Sequence, residues 1–321
     1  MSDIKSIIAS INKKYGENSI NFVSKMANVE VDRLSSGSLA LDYVIGQTKG
    51  VYGWPMGRIV ELFGLPSSGK SLISLYTIIE AQKQNIPCIY LDAENSFDPD
   101  FAKRLGVDVD KLILSQVSIG EEMLDMLAEI LSSGEKMVIV VDSVASMVPI
   151  KEMEDSSEQA NIALSARMMS RGLRKLNALN KKALLLFLNQ IRTNVGAYGN
   201  PETTTGGLAL KHYTSIRLEV RMGEPLKEKD KQVGQTVKFK VKKNKSGKPF
   251  GDGYFKFYYD DRLMDKIDEL VTLGLINKKI EQNGASYQIC GRKFRGREAV
   301  EMELENDPKF LEEVKKEVFA K

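Results

Sequence analysis

The chain has 321 residues, 28% of them charged and 42% hydrophobic, which suits one large globular domain with small appendages. Its net charge of +3, from 46 basic against 43 acidic side chains, argues neither for nor against nucleic acid. A single histidine, His212, excludes His-based metal clusters and Ser-His-Asp triads, and two cysteines, Cys88 and Cys290, exclude a disulfide framework and read as free thiols. No apolar run is long enough to span a bilayer, and Met1–Lys5 has no signal-peptide core, so a cytoplasmic protein with no membrane partner is expected.

Ile4, Ile7, Ile8 and Ile11 recur at helical spacing and Gly16 ends the pattern. This helix has an apolar face with no core beside it, and so must dock on its own domain or on a neighbouring subunit. Residues 17–57 are Gly/Ser-punctuated, with a short helix expected over Leu39–Ile45. From residue 58 strands and helices alternate. Strands are expected at 58–63, 87–92, 136–142 and 183–189, with helices at 70–84, 98–105, 120–133 and 160–180 between them. Fully apolar strands of this kind belong to a parallel sheet covered on both faces, an α/β fold. Strands at 215–221 and 235–243 follow over short connections and are expected to be antiparallel additions. Residues 254–259 form one more strand, leading into a small α+β unit over 263–321 with helices at 263–273 and 309–319.

Gly64-Leu65-Pro66-Ser67-Ser68-Gly69-Lys70-Ser71 matches the phosphate-binding pattern G-x-x-x-x-G-K-[ST] at every defined position. The glycines allow a tight turn whose N–H groups face phosphate oxygens, Lys70 neutralises the β- and γ-phosphates, and Ser71 is placed to ligate Mg²⁺. The helix opening at Leu72 adds its dipole. Met137–Ser143 is a hydrophobic strand ending in Asp142, which reads either as the metal-side acid of an ATPase or as a helix cap. Ile89–Glu94 ends in Asp92 and Glu94. Glu94 sits where a group that orients and deprotonates water belongs, and Asp92, one step inward, is structural. Gln190 ends the strand at 184–189 and is in reach of a γ-phosphate or its water. The polar, Gly-rich stretch 191–207 that follows carries Arg192, Val195, Tyr198 and Thr203–Thr205. It suits a phosphodiester backbone, with Val195 or Tyr198 wedging or stacking against bases. The lysine-rich stretch between Arg221 and Lys248 is either a phosphate-facing surface or a solvated one.

Taken in order, Gly64–Ser71, Asp92-Ala93-Glu94 with Asp98-Pro99, Val138–Ser143, Ala166–Ser170, Asn189-Gln190-Ile191-Arg192 and Gly199-Asn200-Pro201-Glu202-Thr203-Thr204-Thr205-Gly206-Gly207 closely resemble the bacterial RecA recombinase family. The resemblance covers nearly the whole chain. It implies a RecA-type phosphate-loop ATPase core over 33–262, an N-terminal helix and linker over 1–32 that packs on the next subunit, and a small C-terminal domain over 263–321. It also implies ATP and Mg²⁺ as cofactors, held between adjacent subunits of a helical filament on single-stranded DNA, with double-stranded DNA as the second partner. The activity implied is DNA-dependent ATP hydrolysis with homologous pairing and strand exchange. Promotion of repressor self-cleavage and contacts to single-stranded-DNA-binding and mediator proteins come with it.

By match, Glu94 is the catalytic carboxylate, Asp142 the metal-side acid with Ser71, and Gln190 the γ-phosphate sensor. Asp98 and Phe101 are adenine-side contacts, and Lys243 and Lys245 reach the neighbouring subunit's phosphates. DNA contacts fall in loops near 151–163 and 191–210, at Ile162, Arg192, Val195, Tyr198, Gly206, Gly207 and Lys211, and on one helical face at Arg167, Ser170 and Arg174. Several positions depart from the pattern. The first loop lacks glycines, Leu208 and His212 replace a commonly found Asn and aromatic, residues 47–53 look inserted, and the last residues lack an acidic tail, so less inhibited duplex access is expected. Arg292, Lys293, Arg295 and Arg297 read either as duplex contacts or as a solvated hairpin.

Overall fold

The computed structural model describes residues 2–17, 19–22, 31–153, 158–193 and 202–320. The chain divides into two compact units, Met1–Asp32 and Arg33–Lys321. The first is built on α1 (Ser2–Tyr15), whose Ile4 and Ile7 are exposed. Asn12 closes its end by donating to the Ile20 carbonyl and accepting from the Ile20 N–H, each at 3.0 Å.

The second unit opens with β1 (Arg33–Leu34), α2 (Leu39–Ile45), β2 (Gln47–Thr48), β3 (Val51–Tyr52) and β4 (Trp54–Pro55). The stretch that looked inserted is thus the β2–β3 hairpin, and its Tyr52 stacks on Tyr43 of α2 with centroids 5.8 Å apart. The core runs on through β5 (Ile59–Gly64), α3 (Lys70–Gln82), β6 (Cys88–Asp92), α4 (Pro99–Leu105), β7 (Leu112–Ser115), α5 (Gly120–Ser132), β8 (Val138–Asp142), α6 (Glu158–Leu179) and β9 (Leu184–Thr193). It closes with β10 (Glu202–Thr204), α7 (Gly207–Tyr213), β11 (Ile216–Glu228), β12 (Lys231–Asn244) and β13 (Asp252–Tyr258). The sheet order is β13-β12-β11-β5-β9-β8-β6-β7, with β10 beside β9. β5, β6, β8 and the start of β9 are buried throughout, so both sheet faces are covered, as their unbroken apolar runs require. One apolar cluster joins the sheet to α2, α3 and α4, and a second joins it to α5, α6 and α7.

β11 corrects the expectation of an antiparallel addition: it lies parallel to β5, from Ile216↔Val60 to Glu219↔Phe63. The chain does not turn straight back from β9. It crosses through β10 and α7, and such a crossover returns the strand in the parallel sense. β12 and β13, beyond β11, do add antiparallel strands. The expected loop at 191–207 also differs. Residues 191–193 continue β9 and pair antiparallel with β10, Thr203 facing Arg192, since β-branched threonines suit a ladder. Likewise α6 begins at Glu158, inside the segment expected as the first DNA loop.

The chain ends with α8 (Lys266–Ile276), the three-stranded meander β14 (Glu281–Asn283), β15 (Ser286–Ile289) and β16 (Arg292–Arg295), then α9 (Arg297–Asn306) and α10 (Pro308–Phe319). A third apolar cluster holds these elements, with Leu39 and Tyr43 of α2 packed against it.

Candidate functional site

The carboxyl ends of β5, β6, β8 and β9 lie side by side, the place where open α/β sheets bind ligands. β5 ends at Gly64, where a Cβ would lie 2.0 Å from the Val220 carbonyl oxygen of β11. Only glycine lets the loop leave the strand at that distance. Gly69, at φ 102, caps α3 in the left-handed region. Lys70 is buried, and its Nζ donates to the carbonyls of Gly64 at 3.2 Å and Leu65 at 2.8 Å, folding the loop around its ammonium. Ser67, at φ 58, and Leu65, Pro66 and Ser71 are exposed, so the rim of the loop is open; Leu72 is buried beneath it. The buried Ser68 Oγ has no partner. An open backbone cradle over a buried cation fits a phosphate group.

Ser71 Oγ donates to Asp142 Oδ2 at 3.1 Å, and Tyr90 OH donates to the same oxygen at 2.5 Å. Burial pushes the Asp142 carboxyl up, and Glu94 adds to this while the Tyr90 and Ser71 bonds oppose it. Burial likewise pushes Lys70 down against the pull of Asp142 and Glu94. A lysine and an acid both perturbed towards neutrality, in one cleft, mark a site built for a charged ligand. The donor set of one serine and one acid fits Mg²⁺, which keeps waters and shares phosphate oxygens.

Glu94 is exposed beyond the end of β6, and three donors converge on its Oε1: Ser143 Oγ, Ser146 Oγ at 3.4 Å and Gln190 Nε2 at 2.9 Å. The structure therefore brings Glu94, Gln190, Lys70, Ser71 and Asp142 together around the ends of four strands. Asp92 is fully buried and accepts from the Phe97 N–H at 2.9 Å, the structural place expected for it. Asp98 caps α4 by accepting from the Phe101 N–H at 2.9 Å, and the Phe101 ring is half-buried on the core.

Lys243 and Lys245 lie on and just after β12. Within one subunit they close the end of α7, Lys243 Nζ donating to the carbonyls of Lys211 at 2.6 Å and His212 at 3.1 Å, and Lys245 Nζ to His212 at 3.4 Å. Cations at a helix C-terminus oppose its negative end. Gly206 and Gly207, at φ 84 and 71, start α7, and Cβ atoms there would lie 3.1 Å from Val144 and 3.0 Å from Ala166 of α6. The double glycine thus lets α7 seat closely on α6, beside exposed Arg167 and Arg174 and half-buried Ser170. Lys211 Nζ reaches Thr203 Oγ at 3.4 Å, and Arg192 is exposed. Val195 and Tyr198 lie outside the described residues, as does the side chain of Ile162.

Beyond β13, Arg292 pairs with Glu303 at 2.7 Å and covers the Phe310 ring, and Arg297 pairs with Asp268 and Glu301, each at 2.6 Å. These two arginines hold α8, α9 and α10 together, whereas Lys293 and Arg295 are exposed. Sequence reasoning missed Tyr90, Ser143 and Ser146 as partners of the two acids. It also missed the buried pair of Glu61 and Asn189, which bond at 2.9 Å. The one available signal was placement, since Tyr90 lies two residues before Asp92 and Asn189 directly precedes Gln190.

A loop of this form on a parallel strand, over a buried lysine and beside a strand-end acid, makes the chain a phosphate-loop α/β protein of the nucleotide-binding class. Residues 2–264 match the family model described as the RecA N-terminal domain. The chain is also similar to Protein RecA of Rickettsia bellii, from strains OSU 85-389 and RML369-C, at 39% identity over 322 residues, covering 99% of this chain and 92% of each relative. It belongs to the RecA family, whose members bind ATP and DNA, assemble with their own kind and serve recombination and repair. Among the described residues, no helix is long and apolar enough to cross a membrane.

Proposed function

We propose that this protein is a DNA-dependent ATPase that polymerises as a helical filament on single-stranded DNA and catalyses homologous pairing and strand exchange with a duplex. The observation that carries the reading is the 2.9 Å bond from Gln190 to Glu94. Gln190 sits on β9, and the same strand continues into the hairpin that returns at Gly206–Gly207. A residue touching the water-activating acid is thereby one strand away from the proposed DNA surface.

In this mechanism Lys70 and the loop N–H groups hold the phosphates in place. Ser71 and Asp142 would hold Mg²⁺, which would supply charge neutralisation for the phosphoryl group. Glu94 orients a water, whose oxygen bonds to the γ-phosphorus as the bond to the β–γ bridging oxygen breaks. The water's proton passes to Glu94 and on to solvent. Asp98 and Phe101 face the adenine side. Lys243 and Lys245 leave the end of α7 to reach the phosphates of the neighbouring subunit, so half of the site comes from the next protomer. Ile162, Arg167, Ser170, Arg174, Arg192, Val195, Tyr198, Gly206, Gly207 and Lys211 meet the DNA, mostly at phosphates. The N-terminal unit docks on the adjacent subunit, and the C-terminal residues, through Lys293 and Arg295, contact duplex. A filament of this kind also presents a surface for repressor self-cleavage. The direct test is ATP turnover with and without single-stranded DNA: strong stimulation is expected, and its absence would sink the reading.

A further inference from the structure

Asn189 is fully buried and uses both ends of its side chain. Its Nδ2 donates to Glu61 Oε1 and to the Thr205 carbonyl, both at 2.9 Å, and its Oδ1 accepts from the Gln190 N–H at 2.9 Å. The three partners belong to three different parts of the machine. Glu61 lies on β5 three residues before Gly64, where the phosphate loop opens. Thr205 directly precedes Gly206, where the chain turns into α7. Gln190 carries the amide that meets Glu94.

Glu61 is itself anchored. It is fully buried, and its Oε2 accepts from Nε of Arg217 on β11, whose guanidinium lies 4.6 Å from the centre of the Phe63 ring. A buried carboxylate that spends one oxygen on Arg217 and the other on Asn189 cannot release either partner without an unpaired buried group. Two donors and an acceptor on one short side chain are what an amide provides. The ladder between β9 and β10 ends at Thr204↔Ile191, and the bond from Asn189 to Thr205 carries the tie one residue past it.

We propose that Asn189 and Glu61 are positioning residues that link the strand opening into the phosphate loop to the Thr205–Gly207 turn. Glu61 holds the Asn189 amide still against β5. When Gln190 moves toward or away from a γ-phosphate, its N–H pulls on Asn189 Oδ1, and the strain passes to the Thr205 carbonyl and so to the start of α7. Neither residue touches the reacting atoms. The inference deepens the proposed function, since it rests on that reading for what the turn does once it moves.

The test is peptide-resolved hydrogen exchange on the full chain, with and without a non-hydrolysable ATP analogue and Mg²⁺, and without DNA. In the unaltered protein the analogue should slow exchange in both 64–71 and 202–213. Asn189→Ala should keep the slowing at 64–71 and lose most of it at 202–213. Glu61→Gln is nearly isosteric and serves if Asn189→Ala does not fold. It replaces one carboxylate oxygen with an NH2 that cannot accept, and with its remaining oxygen drawn to the Arg217 cation it loses the bond from Asn189, so the distal response should shrink there too. A full 202–213 response in either variant that binds the analogue overturns the proposal. So does a 202–213 segment that ignores the analogue in the unaltered protein, or a variant that loses the 64–71 response as well. DNA stimulation of turnover is read separately: its absence alongside an intact exchange response would sink the DNA reading and leave the link standing.

Discussion

Gln190 Nε2 donates to Glu94 Oε1 at 2.9 Å, and Ser143 donates to the same oxygen. The acid expected to activate water is therefore held by an amide from β9 and a hydroxyl following β8. Glu94→Gln should leave nucleotide binding intact while hydrolysis falls by about 10²-fold or more, the usual worth of a general base. Single-turnover hydrolysis beside analogue affinity checks this, and unchanged hydrolysis would remove Glu94 from the chemistry.

Lys70 is buried with its ammonium on two loop carbonyls. Lys70→Ala removes the cation that would meet phosphate, and affinity for nucleotide should drop by about 10²-fold, as for loss of a charged hydrogen bond. Removing the buried ammonium also removes its desolvation cost, which offsets the two carbonyl bonds lost, so the fold should lose little. Calorimetric binding and a thermal melt on the same variant separate the two effects.

Gly64→Ala would place a Cβ 2.0 Å from a backbone oxygen of the neighbouring strand. Neither strand can yield cheaply, so a loss of about 3 kcal/mol is expected in a denaturant melt. Gly134 is the contrast, at φ 68 with nothing within 4 Å of an added Cβ. Gly134→Ala bears only the left-handed strain, about 1 kcal/mol. Equal losses would mean that the approach of β11 to the loop is not what demands Gly64.

Glu269 of α8 accepts from Ser38 Oγ, from the Leu39 N–H at 3.0 Å and from the Ala40 N–H at 3.4 Å, tying α8 to the start of α2. Burial pushes its carboxyl up to about 8, with Asp42 adding to the rise, and pushes Asp42 up to about 7, with Glu80 adding. Both folded values lie above the unfolded ones. Their stabilisation is therefore complete below the ordinary carboxylate range and is lost as pH rises through about 7 to 8. Thermal melts should show a higher midpoint at pH 5 than at pH 8.5. Glu269→Gln should flatten part of that difference, with Asp42 keeping the rest. Identical slopes in both proteins would show that Glu269 is ionised throughout.

The limits of a sequence reading are visible at particular residues. The phosphate loop, its strand and its helix were legible because each depends on neighbours in the chain: glycine spacing, an apolar run and helical periodicity. α2 was read to the residue because a Ser38 cap and a glycine at 46 bracket it. The direction of β11 was not legible, since a short connection says nothing about whether it passes through a crossover helix. Nor was α9, whose charged sequence buries only Val300 and Leu304.

The residues alone pointed to a phosphate site at Gly64–Ser71, to carboxylates at the ends of two strands and to a resemblance to the RecA family. Those conclusions depend on order and spacing within short segments, where local backbone physics decides. Only the tertiary structure decided which acid Tyr90 serves, why Gly64 must lack a side chain, and that Asn189 faces Glu61, 128 residues away. Such pairings arise where strands remote in sequence are pressed together in one sheet, and a partner chosen by packing leaves no mark on the segment that carries it.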